Sequence, residues 1–138
     1  MEYLLDTDTC ISYLRDKFNV ARKIEAVGIQ NCYVSEITIA ELTFGAFHSK
    51  NYEKHITEVK KIELLYDVVP IYPSIALYAQ ERSRLRKDGQ LIPDFDLLIG
   101  VTSVVHGMVM VTSNVKHLQR IASIKIENWR DKTHNEYL

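Results

Sequence analysis

The chain has 138 residues, 46% of them hydrophobic and 25% charged, and a formal net charge of −1. That length and balance describe an ordinary soluble globular protein, expected as one domain over residues 1–138 with enough chain to bury a core. They exclude overall charge as a sign of nucleic-acid binding, although a local basic patch can be balanced by acids elsewhere.

The N-terminus shows no basic region followed by an apolar stretch, so no signal peptide is read there. Tyr3-Leu4-Leu5 reads as a short strand running straight into Asp6. Thr7, Asp8 or Thr9 is expected to cap the helix that follows, with Cys10, Ile11 and Leu14 on one face. A second helical stretch, about Val20 to Val27, ends at Gly28. Cys32-Tyr33-Val34 is a β run. Ser35 then caps a helix with Ile37, Leu42 and Ala46 facing inward. A helix from about Tyr52 to Leu65 leads to a strand at Val68-Val69-Pro70-Ile71, where Pro70 marks an edge or an end. Ser74 opens a helix to about Lys87, closed by Asp88-Gly89. Pro93 or Asp94 starts the helix carrying Leu97, Leu98, Val101 and Val105, which Gly107 terminates. Met108 to Val111 is a strand, Thr112-Ser113-Asn114 opens a short helix, and Ile124 to Ile126 is a last strand. Trp129 is expected to pack over an edge of the core.

Strands alternating with helices predict an α/β fold: a central, mainly parallel β-sheet covered by helices on both faces, an α/β/α sandwich. Ligands of such sheets collect outside the carboxyl ends of the strands. Three acids stand where a strand and a helix meet, each among apolar residues: Asp6, Glu41 and Asp96. Carboxylates anchored near a core repel one another unless a cation or proton joins them, and a hard divalent cation is the natural candidate. Asp6, directly after its strand, is the strongest of the three; its plainer reading is a cap of the next helix, a job Asp8 or Thr9 could also do. Glu41 also suits a solvent-facing helix position. Asp94 is the expected helix cap, with Asp96 facing differently. Thr112 and Asn114 offer neutral oxygens at the same edge, or a plain turn.

The basic run Arg82-Ser83-Arg84-Leu85-Arg86-Lys87, with Lys116 and Arg120, is either a solvated helix face or a guide for a polyanion backbone. The five histidines, His48, His55, His106, His117 and His134, have no metal spacing and read as surface or helix-end residues. Cys10 and Cys32 read as buried free thiols, which suits a reducing cytosol. No apolar run approaches the roughly 20 residues of a membrane span, so a cytoplasmic location away from membranes is expected.

Four stretches together carry a family resemblance: LLDTDTCISYL, SEITIAELTFGA, IPDFDLLIGVTSVVHGMVMVTSN and IKIENW. In this order and spacing they resemble the PIN-domain ribonucleases, specifically VapC-type toxins of bacterial toxin–antitoxin pairs. The resemblance implies the PIN fold and maps the family's acidic set onto Asp6, Glu41 and Asp96. It implies endonucleolytic cleavage of RNA, often structured RNA such as tRNA, with Mg²⁺ or Mn²⁺. It also implies a cognate VapB-like antitoxin whose C-terminal segment blocks the cleft, and a homodimer. The chain departs from the family at Asp8, where an Asn is usual, and at His117, where an additional acid often sits. Asp8 or Asp94 is a candidate for compensating charge, and Asn114 for the fourth polar residue. Two other readings fit parts of the chain. YLLDTDTC nearly matches a haloacid-dehalogenase-like phosphatase motif, except at Cys10. The altered late motif also fits a binding module that has lost catalysis.

Overall fold

Five short strands, all parallel, form the centre of the computed structural model, which describes residues 1–130. They are β1 (Tyr3–Leu5), β2 (Cys32–Ser35), β3 (Asp67–Val69), β4 (Val109–Val111) and β5 (Ile126–Glu127), in the spatial order β3-β2-β1-β4-β5. The helices are α1 (Thr7–Leu14), α2 (Val20–Val27), α3 (Glu36–His48), α4 (Tyr52–Leu65), α5 (Ile75–Lys87), α6 (Asp94–Val105) and the single turn α7 (Val115–Leu118). The expected α/β/α sandwich with a parallel sheet is the observed fold.

The side-chain period of two sorts the central strands between two cores. Leu4 and Met110 enter one core with Leu85, Leu97, Val101, Leu118 and Ile121. Leu5, Val34 and Val111 enter the other with Cys10, Ile24, Ile62 and Trp129. Runs of apolar residues without polar alternation are what a strand covered on both faces requires. Burial pushes the Cys32 thiol up to about 11 and that of Cys10 further, so both stay protonated and inert. Gly100 lets α6 approach the segment after β4: a Cβ there would meet the ends of Ile121 and Leu118.

The edges of the sheet differ from expectation. β3 stops at Val69, two residues early, because Pro70 has no N–H to give the ladder and the Ile71 N–H turns to Glu36 Oε1 at 2.8 Å. β5 covers Ile126–Glu127 rather than beginning at Ile124. Ser74 closes a 3₁₀ turn, Tyr72–Ser74, and α5 starts one residue later. Trp129 is buried against Tyr3, ring centroids 5.4 Å apart, and donates to Glu127. His134 lies outside the described residues. Among those residues no helix is long and apolar enough to cross a membrane.

The strand order fixes where a site can form. The chain leaves β1 in one direction, to β2 and β3, and returns to the other side of β1 with β4. The connections after β1 and β4 therefore diverge and leave a crevice at the sheet's carboxyl edge. Asp6 follows β1, and Thr112 follows β4.

Candidate active site

A cleft of about 180 Å³ opens at that crevice, and Asp6, Thr7, Asp8, Glu41, Asp96, Thr112 and Asn114 line it. Ile99, Met110 and Leu118 form its apolar floor. The three acids singled out in the sequence therefore share one space, together with both neutral residues of the late motif.

Asp6 is held most tightly. Its N–H donates to the Val111 carbonyl at 3.0 Å, extending the β1–β4 pairing by one bond. Its Oδ1 accepts from the Thr9 N–H at 2.8 Å, so Asp6 itself caps α1. That corrects the expectation of a cap at Thr7, Asp8 or Thr9: an acid in extended backbone one residue before the helix already meets the orphan N–H. Thr112 stands beside the same carboxylate and favours its charged form. Burial raises the Asp6 pKa above the usual carboxylate value, against the pull of the Thr112 and Thr9 hydrogen bonds.

Glu41 sits midway along α3, whose N-terminus is fixed by Ser35 accepting from the Ile37 N–H at 3.0 Å. The Thr7 hydroxyl donates to Glu41 Oε1 and stands 3.2 Å from the Thr38 hydroxyl. Glu41 therefore faces the cleft, not open solvent. Burial raises its pKa, and the charges of Asp96, Asp8 and Asp6 add to the rise.

Asp96 lies in the first turn of α6, and its Oδ2 accepts from the Asn114 side-chain NH₂ at 3.4 Å. Burial raises its pKa, and the Asp8 charge adds to that. Asp94, in the same turn, points elsewhere. It accepts from the Tyr78 hydroxyl and Arg82 Nε, each at 2.9 Å, and is not a lining residue. Nor does it cap α6, where Pro93 occupies the cap position. These bonds hold the Asp94 carboxyl below its usual value.

The basic run divides. Arg82 pairs with Asp94, and Arg84 with Glu81 and, at 3.7 Å, with Asp88. Arg120 donates to the carbonyls of Gln90 and Leu91. None of the three lines the cleft. Arg86, Lys87 and Lys116 are solvent-exposed. Sequence reasoning missed Thr7, which has no motif beyond its place between Asp6 and Asp8. It also missed Arg130, which donates to Ser113 at 2.9 Å, stands 4.0 Å from Asp8 and stacks over Phe18. No local pattern ties a residue after the last strand to the first loop.

The donor set consists of carboxylate, hydroxyl and amide oxygens, the chemistry of a hard dication such as Mg²⁺ or Mn²⁺. Among the described residues no three His, Cys, Asp or Glu groups stand close enough to hold an ion as a ready-made set. An ion that keeps several waters suits this spacing; one demanding an all-protein cage does not.

Comparison with known proteins agrees with the fold. The PIN domain family model matches residues 3–124, so the chain belongs to the PIN-domain family. Ribonuclease VapC1 of Haemophilus influenzae is 35% identical over 135 residues, covering 94% of this chain and 98% of that protein. The tRNA(fMet)-specific endonuclease VapC of Salmonella typhimurium is 28% identical over 130 residues, with the same coverage of 94% and 98%. VapBC2 from Rickettsia felis, solved bound to a DNA fragment from its promoter, superposes with a TM-score of 0.87 at 26% identity, over 94% of this chain and 99% of that one. VapBC-1 from nontypeable Haemophilus influenzae gives a TM-score of 0.84 at 30% identity, over 95% of this chain and 100% of that one. The PIN match over residues 3–124, which includes YLLDTDTC, sets the phosphatase alternative aside.

Proposed function

We propose that this chain is an endoribonuclease toxin that hydrolyses phosphodiester bonds of RNA with Mg²⁺ or Mn²⁺ and is silenced by a cognate VapB-like antitoxin. Structured RNA such as tRNA is the proposed substrate. The convergence of Asp6, Glu41 and Asp96 on the β1–β4 crevice, each with a raised pKa, carries the reading.

Asp6 would be the central ligand, with Asp96 and Glu41 binding directly or through water. A bound Mg²⁺ or Mn²⁺ supplies charge neutralisation at the scissile phosphate and a lowered pKa for its water. The chain's own groups do the positioning. Thr9 and Thr112 fix the Asp6 carboxylate, Thr7 fixes Glu41, and Asn114 fixes Asp96. Arg86, Lys87 and Lys116 are exposed cations available to the RNA backbone, which positions a substrate without reading its sequence.

A second groove, of about 310 Å³, supports the antitoxin reading. It shares Thr7 and Glu41 with the cleft and is walled by Ile11, Leu14, Leu42, Ala46 and Val59. A peptide anchored on those apolar side chains would pass directly beside Glu41.

The test is cleavage of total bacterial RNA by the purified protein, with Mg²⁺ or Mn²⁺ against EDTA, beside Asp6→Asn. Discrete products that require both the cation and Asp6 support the reading. Parental-rate cleavage by Asp6→Asn, or no cleavage by folded protein with either cation, overturns it.

A further inference from the structure

His117 stands at the rim of the cleft on α7 and is not itself a lining residue. Its Nδ1 lies 3.2 Å from the Asn114 side-chain nitrogen, whose other neighbour is Asp96 Oδ2 at 3.4 Å. The chemistry of these three groups assigns their hydrogens. A carboxylate only accepts, so the Asn114 atom facing Asp96 is the NH₂ and not the oxygen. That NH₂ has a second hydrogen, and a ring nitrogen 3.2 Å away can only accept it. Nδ1 therefore carries no proton, and the ring proton rests on Nε2.

With both amide hydrogens engaged, Oδ1 is the remaining polar atom of the Asn114 side chain. The backbone of Asn114 is held too: its N–H donates to Thr112 Oγ1 at 3.0 Å, and Thr112 stands beside Asp6. One chain of contacts thus runs from His117 through Asn114 to Asp96, and by way of Thr112 to Asp6.

We propose that His117 is a positioning residue: its Nε2-protonated ring holds the Asn114 amide in one orientation, so that Asn114 steers Asp96 and offers Oδ1 to an O–H group in the cleft. An imidazole does this without adding charge. An acid at the same place would accept the same hydrogen, but would bring a further negative charge toward three carboxylates that already raise or crowd one another. The effect on turnover rests on the nuclease reading; the contact itself does not.

The experiment is a long-range ¹H–¹⁵N spectrum of the imidazoles, with the side-chain amide signals of Asn114, on the parental protein, His117→Ala and His117→Asn. Single-turnover RNA cleavage is measured beside it. The parental ring should show the Nε2–H tautomer. His117→Ala should shift the Asn114 amide pair and lower the saturating single-turnover rate about tenfold with the half-saturating concentration unchanged, the size expected for one lost positioning hydrogen bond. His117→Asn, whose Oδ1 reaches near the place of Nδ1, should restore both.

A ring protonated on Nδ1 overturns the inference on the parental protein alone, whatever the variants do. So does a folded His117→Ala that leaves the Asn114 amide signals in place. If the parental protein cleaves no RNA, the nuclease reading falls, and the spectra still decide the contact.

Discussion

Glu81 on α5 is a buried acid, its side chain 7% exposed, and Arg84 one turn later donates to it at 2.6 and 2.9 Å. Asp6, Glu41 and Asp96 are half-buried acids in the same molecule, yet among the described residues none of them has an arginine or lysine ion pair. Hydroxyls, one amide and one backbone N–H are their donors. The first arrangement neutralises a charge within the fold. The second leaves charge unneutralised at the one edge where the topology opens a crevice. A carboxylate left in that condition costs stability, and the location of that cost marks the site that a cation would relieve.

The sharpest way to break the contrast is Asp6→Asn. Asn caps a helix as well as Asp does, and the variant loses only charge. RNA cleavage should vanish while thermal unfolding of the cation-free protein stays equal or moves up. A large loss of stability would make Asp6 a purely structural cap.

Arg84→Ala tests the other side. It strands Glu81 in the interior and removes the bond to the Arg120 carbonyl. Stability should fall by about 2 kcal/mol in urea unfolding, less than for a fully buried pair because Arg84 is 43% exposed. Cleavage at a permissive temperature should be retained.

The pH dependence of stability sharpens the comparison further. The folded-state pKa values of Asp6, Glu41 and Asp96 lie above their ordinary values. In the window between the two, the folded chain binds more protons than the unfolded one. The stability these groups contribute is full below that window and is lost as pH rises through it. Urea titrations of the cation-free protein should show a fall across the window that Asp6→Asn makes shallower. Mg²⁺ should recover stability above the window and none below it. An equal slope in both proteins would count against the assignment.

The smallest effect is expected at Arg82→Ala. The Arg82–Asp94 pair lies in solvent, with side chains 41% and 52% exposed. No measurable change in Tm is expected, and scanning calorimetry checks it.

The cleft was partly legible because Asp6 and Thr112 each directly follow a strand, and parallel sheets gather such strand ends on one edge. Asp6 and Thr112 follow from that rule alone. Glu41 did not: a mid-helix acid is ambiguous until Thr7, a distant partner, is known. Asp94 was misread as a cap because its partners, Tyr78 and Arg82, belong to a different helix. The run from Arg82 to Lys87 looked uniform in sequence, but Glu81, Asp88 and Asp94 engage two of its four cations. Strand boundaries missed by one residue at the interior strands β2 and β4 and by up to two at the edge strands β3 and β5, where one-sided pairing gives the pattern less to hold.

The hydrogen bond from Asp6 to Val111 joins the first strand of the chain to the fourth. A ribosome making this protein releases Asp6 long before Thr112. Until then the first carboxylate has neither its neighbouring strand nor Asn114 and Asp96 in place. A polypeptide built in this order has no assembled cleft until its fourth strand has emerged to pair with the first.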